Sequence, residues 1–363
     1  MTEPPAPARD GLHWSADVAG HRIELLFDGA ARLERLLTLI NGAIRSIDLV
    51  MYIFEGDGAG TDVLDALARA AQRGVRVRAV IDSFGSSNTS DSIFVPLRDA
   101  GGEVTYFSRR WRSSYLIRNH QKLILIDGDT AITGGFNLSD DYLSAPRADC
   151  WFDLGMILRG PSVARAVEWF AQIRDYAVNH DGKLLMLRRL IREWMRAVRI
   201  AETGPARPVQ PAHHRVARFG RARFVMASKS DNAATIGASR LLYGYLLRKG
   251  GAVWEYRPCK LHMKLIVIDD IVYIGSANFD VRSLFVNVEI MVRIADPHFA
   301  ERMRGFVAGL EEDCDVITAE THKARAGWLT RLRWTLAWFV VGVADYTVSR
   351  RLNFGLAEPD PEL

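Results

Sequence analysis

The chain has 363 residues, of which 48% are hydrophobic, 25% charged and 10% aromatic, at a mean hydropathy of −0.02. That length suits two domains or one large one, and the balance excludes both a disordered tail and a polytopic membrane protein. The 47 basic residues are 40 Arg and only 7 Lys against 43 acidic ones, so the net +4 is carried by guanidinium, which suits phosphate or acidic surfaces.

Met1 to Asp10 is rich in Pro and Ala, and no basic start leads into an apolar run, so no secretory signal is read there. Two apolar β-rich runs, 46–54 (SIDLVMYIF) and 75–81 (VRVRAVI), flank a helical pattern at 62–73. That βαβ order predicts an α/β fold in which mixed sheets are covered by helices. A helix end, a glycine stop and a strand follow at 97–107 (LRDAGGEVTYF), and the series returns at 246–256 (LLRKGGAVWEY). A second pair of blocks comes next, 120–137 (HQKLILIDGDTAITGGFN) and 262–278 (HMKLIVIDDIVYIGSAN), each reading as two strands joined by an acidic turn. A third pair opens on Asp153 (DLGMILRGP) and Glu289 (EIMVRIADP). Three matches in the same order mark a duplication, with 224–226 and 238–248 as strand and helix of the second copy. Between strand and histidine the first copy has the longer connection, RRWRSSYLIRN against RPCKL, whose aromatic and basic residues suit the lining of an entrance.

Lys183 to Arg223 holds eleven basic and two acidic residues and is interrupted by GPARPVQP, a connector. Within it Leu184, Leu187, Ile191, Trp194 and Val198 recur at helical spacing, with Arg188, Arg189, Arg192 and Arg196 off that face. Such a helix either lies on an anionic bilayer, through Leu187, Arg188, Ile191, Arg192 and Trp194, or packs on the domain with a solvated charged face. Near the C-terminus Trp328, Trp334, Trp338 and Phe339 sit among Arg325, Arg331, Arg333, Arg350 and Arg351, which fits the headgroup level of a membrane. The most apolar run there, 334–344, is about half of the roughly 20 residues that a spanning helix needs. The chain therefore divides into an N-terminal half (1–182), a basic connector (183–222), a C-terminal half (223–318) and a basic Trp-rich tail (319–363). Cys150, Cys259 and Cys314 show neither a disulfide framework nor zinc-ligand spacing.

The chemistry is carried by HxK, which occurs twice where composition alone predicts about 0.2 occurrences. On an extended segment residues i and i+2 share a face, so His120 projects with Lys122 and His262 with Lys264. The next strand returns Asn137 in one copy, and Ser276 and Asn278 in the other, toward the same place. If the halves pack about a pseudo-twofold axis, one pocket holds two imidazoles, two ammonium groups and two amides, a site for an anionic tetrahedral centre. Lysines can neutralise, and asparagines hydrogen-bond, the non-bridging oxygens of a phosphodiester without a metal. One histidine can attack phosphorus while the other protonates the departing alkoxide. Asp153 and Glu289 are candidates for holding the far ring nitrogen of a histidine, with Asp149 a rival for His120 that the repeat disfavours against Asp153. Asp127 and Asp269 fall where apolar runs meet turns and read as structural.

These residues spell H-x-K-x(4)-D-x(6)-G-[GS]-x-N, and the chain resembles the phospholipase D superfamily from about Leu36 to Asp296. His120 to Asn137 fits throughout; His262 to Asn278 is one residue short after Asp269. YIFEGDGAG, GGFNLSDDY, SKSDN, LHMKLIVID and GSANFDVRSLFVNVE are similar to the bacterial cardiolipin synthase branch. The resemblance implies two duplicated phospholipase D-like halves around one active site made of His120, Lys122, Asn137, His262, Lys264, Ser276 and Asn278. Glu289 is supported as a histidine partner, and Gly135 stands where many members have Ser. It further implies phosphatidyl transfer through a phosphohistidine, no metal or other cofactor, and an acceptor such as phosphatidylglycerol; family habit leans toward His120 as nucleophile, a choice the near-symmetric motifs leave open. Many members of that branch begin with two spanning helices and this chain shows none, so peripheral docking on the cytoplasmic face of a bacterial inner membrane is expected, with anionic phospholipids as partners. The rival readings are a hydrolase releasing phosphatidic acid, a nuclease, and a non-enzymatic binding module. Basic residues alternating with Leu, Met and Trp argue against nucleic acid, and two intact motifs argue against a decayed pocket.

Overall fold

The computed structural model describes residues 13–108, 117–145, 149–180, 183–197, 222–231, 233–280, 283 and 287–339. The first half is one mixed sheet. An antiparallel hairpin, β1 (His13–Val18) and β2 (His21–Leu26), which no pattern in the sequence announced, extends one edge. The expected βαβ unit is β3 (Ser46–Met51), helix Gly58–Gln72 and β4 (Arg76–Asp82), with the two strands parallel. Its helix begins four residues before the apolar pattern does because Asp57 caps it, accepting the Gly60 N–H at 2.9 Å. Asp57 also accepts the Asp140 N–H at 2.6 Å while Asp140 accepts that of Ala59 at 2.7 Å, so the EGDGAG and LSDD stretches lock together. β5 (Glu103–Phe107), β6 (Lys122–Ile126), β7 (Thr130–Gly134) and β9 (Gly155–Arg159), with the two-residue β8 (Trp151–Phe152) before it, complete the half; the sheet order is β1-β2-β9-β7-β6-β3-β4-β5.

Strand alternation gives this sheet two cores. Ile124 and Ile126 join Leu49, Met51 and Ile81 on the face covered by helices Gly29–Gly42 and Gly58–Gln72. Leu123 and Leu125 join Val50, Val80, Met156 and Leu158 on the other face. There the partner is the second half, through Val272, Ile274, Val292 and Ile294, so the two halves are welded by a single apolar core.

The second half has β10 (Arg223–Ala227), helix Ala233–Arg248, β11 (Ala252–Tyr256), β12 (Lys260–Leu261), β13 (Leu265–Ile268), β14 (Ile271–Gly275), β15 (Met291–Ala295) and, after helix Pro297–Glu311, β16 (Cys314–Ile317). The expected single mixed sheet is in two three-stranded pieces, β10-β11-β16 and β13-β14-β15. Among the described residues no strand joins β13 to β10 as β3 joins β6 to β4.

Helix Leu184–Ala197 corrects one expectation. Leu187 is fully buried, Ile191 nearly so, and both belong to the shared core; Arg188 is buried as well. These three residues face protein, not a bilayer, because an apolar stripe is equally satisfied by a sheet's open face. The Arg192 and Trp194 side chains lie outside the described residues. Helix Trp328–Trp338 packs on helix Ala233–Arg248, where a Cβ added at Gly237 would stand 3.0 Å from that of Ala337. Trp334 leans on His322, ring centroids 5.5 Å apart, while Trp328, Leu332, Leu336 and Trp338 remain exposed. No described helix is long and apolar enough to cross a membrane.

Candidate active site

Two short backbone crossings build the site. β8 and β12 pair in parallel, Trp151 opposite Lys260 and Phe152 opposite Leu261. Their counterpart is a parallel bridge between Asn119 and Val288. In each crossing the residue before a motif histidine lies beside the residue before the acid of the other half. Thus the His120 N–H donates to the Val288 carbonyl and the His262 N–H to the Phe152 carbonyl, both at 2.9 Å. The reciprocity is that of an isologous interface between the two halves.

The acids follow the backbone across. His120 Nδ1 lies 3.0 Å from the Glu289 carboxylate, and His262 Nδ1 lies 2.5 Å from Asp153 Oδ2. Asp153 therefore serves His262, correcting the repeat's assignment of it to His120; the repeat aligns residues within halves and carries no information about which half they face. With Nδ1–H donated to a carboxylate, each ring presents Nε2 for chemistry. Tyr52 stands edge-on to His120 at 4.6 Å, and Tyr142 and Trp151 to His262 at 5.2 and 5.0 Å, fixing both rings.

Ser276 donates to Glu289 Oε2 at 2.6 Å and accepts the Ile290 N–H at 2.9 Å. Its counterpart Gly135 has no room for a hydroxymethyl group, since a Cβ there would run into both oxygens of Asp153. The departure from Ser is steric: the first half brings its acid against the backbone where the second half interposes a hydroxyl.

Lys122 and Lys264 are buried, and each donates to the carbonyl of its own motif histidine, Lys122 at 2.8 Å. Burial pushes the Lys122 ammonium down to about 7 and that of Lys264 down to about 8, the Glu289 and Asp153 carboxylates only partly opposing it. Burial and the nearby lysines also lower His120, and lower His262 to about 3. Burial works to raise Asp153, but His262 and Lys264 prevail and keep it ionised. The site thus holds neutral imidazoles beside ammonium groups on the edge of losing their protons. Asn137 is buried, its Oδ1 without a hydrogen-bond partner among the described residues, and Asn278 is partly exposed. Asp127 and Asp269 occupy left-handed turn positions; the Asp127 carboxylate accepts the N–H groups of Ile44, Arg45 and Ser46 at 2.6–3.0 Å, a structural role. Among the described residues no group of three His, Cys, Asp or Glu could hold a metal ion.

Two supporting residues escaped the sequence reading. Buried Asp82 accepts the N–H groups of Asn119, Phe84 and Gly85 at 2.7–2.9 Å and so holds the residue before His120; burial raises its carboxyl to about 6. Arg32, buried in helix Gly29–Gly42, donates to the carbonyls of Asp153 at 2.6 Å and Tyr142 at 2.7 Å. Neither belongs to a repeated block, and the sequence carries no signal for either.

Residues 36–174 and 212–308 match the family of the cardiolipin synthase, PLD-like domain. The chain belongs to that family. The major cardiolipin synthase ClsA of Bacillus subtilis (strain 168) is 30% identical over 351 residues, covering 85% of this chain and 72% of that protein. Cardiolipin synthase B of Escherichia coli (strain K12) is 28% identical over 351 residues and covers 85% of each. The phosphatidylserine synthase of Haemophilus influenzae Rd KW20 shares the fold, at a TM-score of 0.65 and 14% identity over 93% of this chain and 96% of that one. Membership carries with it the two phospholipase D-like halves seen here.

Proposed function

We propose that this chain is a cardiolipin synthase-type phosphatidyltransferase acting through a phosphohistidine intermediate. The observation that carries this reading is the pair of reciprocal histidine–carboxylate contacts in a pocket shared with two lysines. His120 Nε2 attacks the phosphorus of a donor phospholipid, and the alcohol leaves with the Nε2 proton of His262, whose ring takes up that proton beside Asp153 when the negative phosphodiester enters the site. The hydroxyl of a second lipid then returns that proton to His262 and attacks phosphorus, freeing His120. Lys122 and Lys264 neutralise the non-bridging oxygens, and the arriving phosphate charge restores the protons that burial loosens. Phosphatidylglycerol serves as donor and acceptor, giving cardiolipin and glycerol. The protein works peripherally on the cytoplasmic face of a bacterial inner membrane, with the outward side chains of helix Trp328–Trp338 at the lipid surface.

The test incubates purified protein with phosphatidylglycerol labelled in head group or acyl chain, in liposomes containing EDTA, for wild type, His120→Ala and His262→Ala. Cardiolipin with released glycerol, lost in both variants, is expected. Phosphatidic acid as sole product would make the protein a hydrolase, and no lipid turnover would overturn the reading.

A further inference from the structure

Away from the histidines, the carboxyl ends of parallel strands β10 and β11 open into a cavity of about 500 Å³. Among the described residues four cations line it, Lys229, Arg240, Arg257 and Arg325, against two carboxylates, Glu255 and Asp315. Glu255 and Asp315 are cross-strand neighbours on β11 and β16, so their like charges require cationic cover. Buried Glu255 takes it twice, from Arg240 at 2.8 Å and from Arg325 at 3.3 Å. Arg257 lies 3.5 Å from Asp315. Lys229 meets no carboxylate among the described residues, its ammonium reaching only the Pro258 carbonyl at 3.4 Å. Over the described residues the cavity therefore keeps a surplus of two positive charges with donors to spare.

Helix Trp328–Trp338 supplies Thr330 and Trp334 to the cavity wall. The same helix turns Trp328 (75% exposed), Leu332 and Leu336 outward. A concave cationic seat beside an outward apolar helix matches an amphiphile whose head is an anion and whose tail is hydrocarbon. A soluble anion would have no use for the second feature.

The geometry points to a non-catalytic seat for the phosphate head group of an anionic membrane phospholipid, held by Lys229 and the Arg325–Arg240 pair under helix Trp328–Trp338. The inference rests on the reading that the protein works at a lipid surface. It adds a lipid bound for attachment, not for turnover, since no histidine lines the cavity among the described residues.

The test measures co-sedimentation of wild type, Lys229→Glu and Leu332→Asp with vesicles of phosphatidylcholine alone or mixed with phosphatidylglycerol. Lys229 and Leu332 are exposed, and unchanged melting temperatures would show that both variants fold. The Lys229→Glu change is expected to weaken binding to the mixed vesicles about tenfold or more, to flatten its salt dependence and to leave binding to phosphatidylcholine unchanged. Leu332→Asp is expected to weaken binding to both. Inorganic phosphate, added as the free-anion probe, is expected to leave vesicle binding intact. Stabilisation of wild type but not of Lys229→Glu by phosphate, with equal vesicle binding, would overturn the lipid seat in favour of a soluble-anion site. Equal behaviour of Lys229→Glu and wild type in every assay would overturn any anion site. Binding is read without turnover, so failure of the catalytic reading leaves this result legible, and normal turnover with unaltered binding in Lys229→Glu sinks the seat alone.

Discussion

Each histidine takes its orienting carboxylate from the other half, and this makes a prediction about coupling that a same-half arrangement would reverse. In double-mutant cycles read by thermal unfolding, His120→Ala with Glu289→Gln and His262→Ala with Asp153→Asn should show coupling of about 1–3 kcal/mol, since removing one partner strands a buried charge or dipole. The pairs His120 with Asp153 and His262 with Glu289, linked only through the buried lysines, should couple more weakly than these. Either carboxamide variant should lose roughly 10²–10⁴ in turnover through misoriented imidazole. Gly135 is a second residue-level test. Gly135→Ser restores the hydroxyl that Ser276 has in the other half, yet the Asp153 oxygens occupy the space. Destabilisation of about 1–3 kcal/mol and loss of turnover are expected, whereas a wild-type melting curve would refute the steric account.

At the scale of elements, helix Leu184–Ala197 shows what periodicity alone can decide. Its apolar stripe was legible, but a stripe does not say whether hydrocarbon or a protein core will cover it. Leu187 and Ile191 in the core shared with Leu123, Leu125, Val292 and Ile294 supply the answer. Leu187→Ala should therefore cost about 2–5 kcal/mol in unfolding free energy and leave vesicle flotation per folded molecule unchanged; a bilayer-facing leucine would give the opposite pair of results. The strands carrying HxK and the order of the repeated blocks were legible for the same reason in reverse. Alternating Leu123, Ile124, Leu125 and Ile126 demand a sheet buried on both faces, and a doubly occurring motif needs no contact information to be found. The hairpin β1–β2, the two-piece second sheet and the histidine–acid crossing were not legible. The 119–288 and 152–261 bridges that fix the crossing are two-residue backbone contacts between distant segments, with no side-chain pattern to announce them.

For the whole molecule, the site is a standing cost to the fold, and pH reveals it. Lys122 and Lys264 titrate in the native protein at about 7 and about 8 against an ordinary 10.5. Between those values the unfolded chain binds more protons than the native one, so unfolding free energy rises with pH. The destabilisation is full below pH 7, where both ammonium groups are buried and charged, and is relieved progressively as pH climbs from their native values toward 10.5. His262, held near 3 against 6.5, adds a stability that is lost as pH falls below 6.5. Asp82, raised from 3.8 to about 6, works against His262 in part of that acid window, so the clean test lies on the alkaline side. Wild type should gain on the order of 1–2 kcal/mol, a shift of about 2 °C or more, between pH 7 and 9 relative to Lys122→Met. At pH 7 Lys122→Met should melt above wild type while being inactive, because it removes a buried cation that only substrate compensates. An anion bound between the lysines supplies that compensation. Inorganic phosphate should accordingly raise the melting temperature of wild type more at pH 7 than at pH 9, and raise that of Lys122→Met less at either pH. Parallel curves for wild type and Lys122→Met across pH 7–9, with and without phosphate, would show that the lysines keep their ordinary protonation and that the pocket is not poised by its burial to receive a phosphodiester.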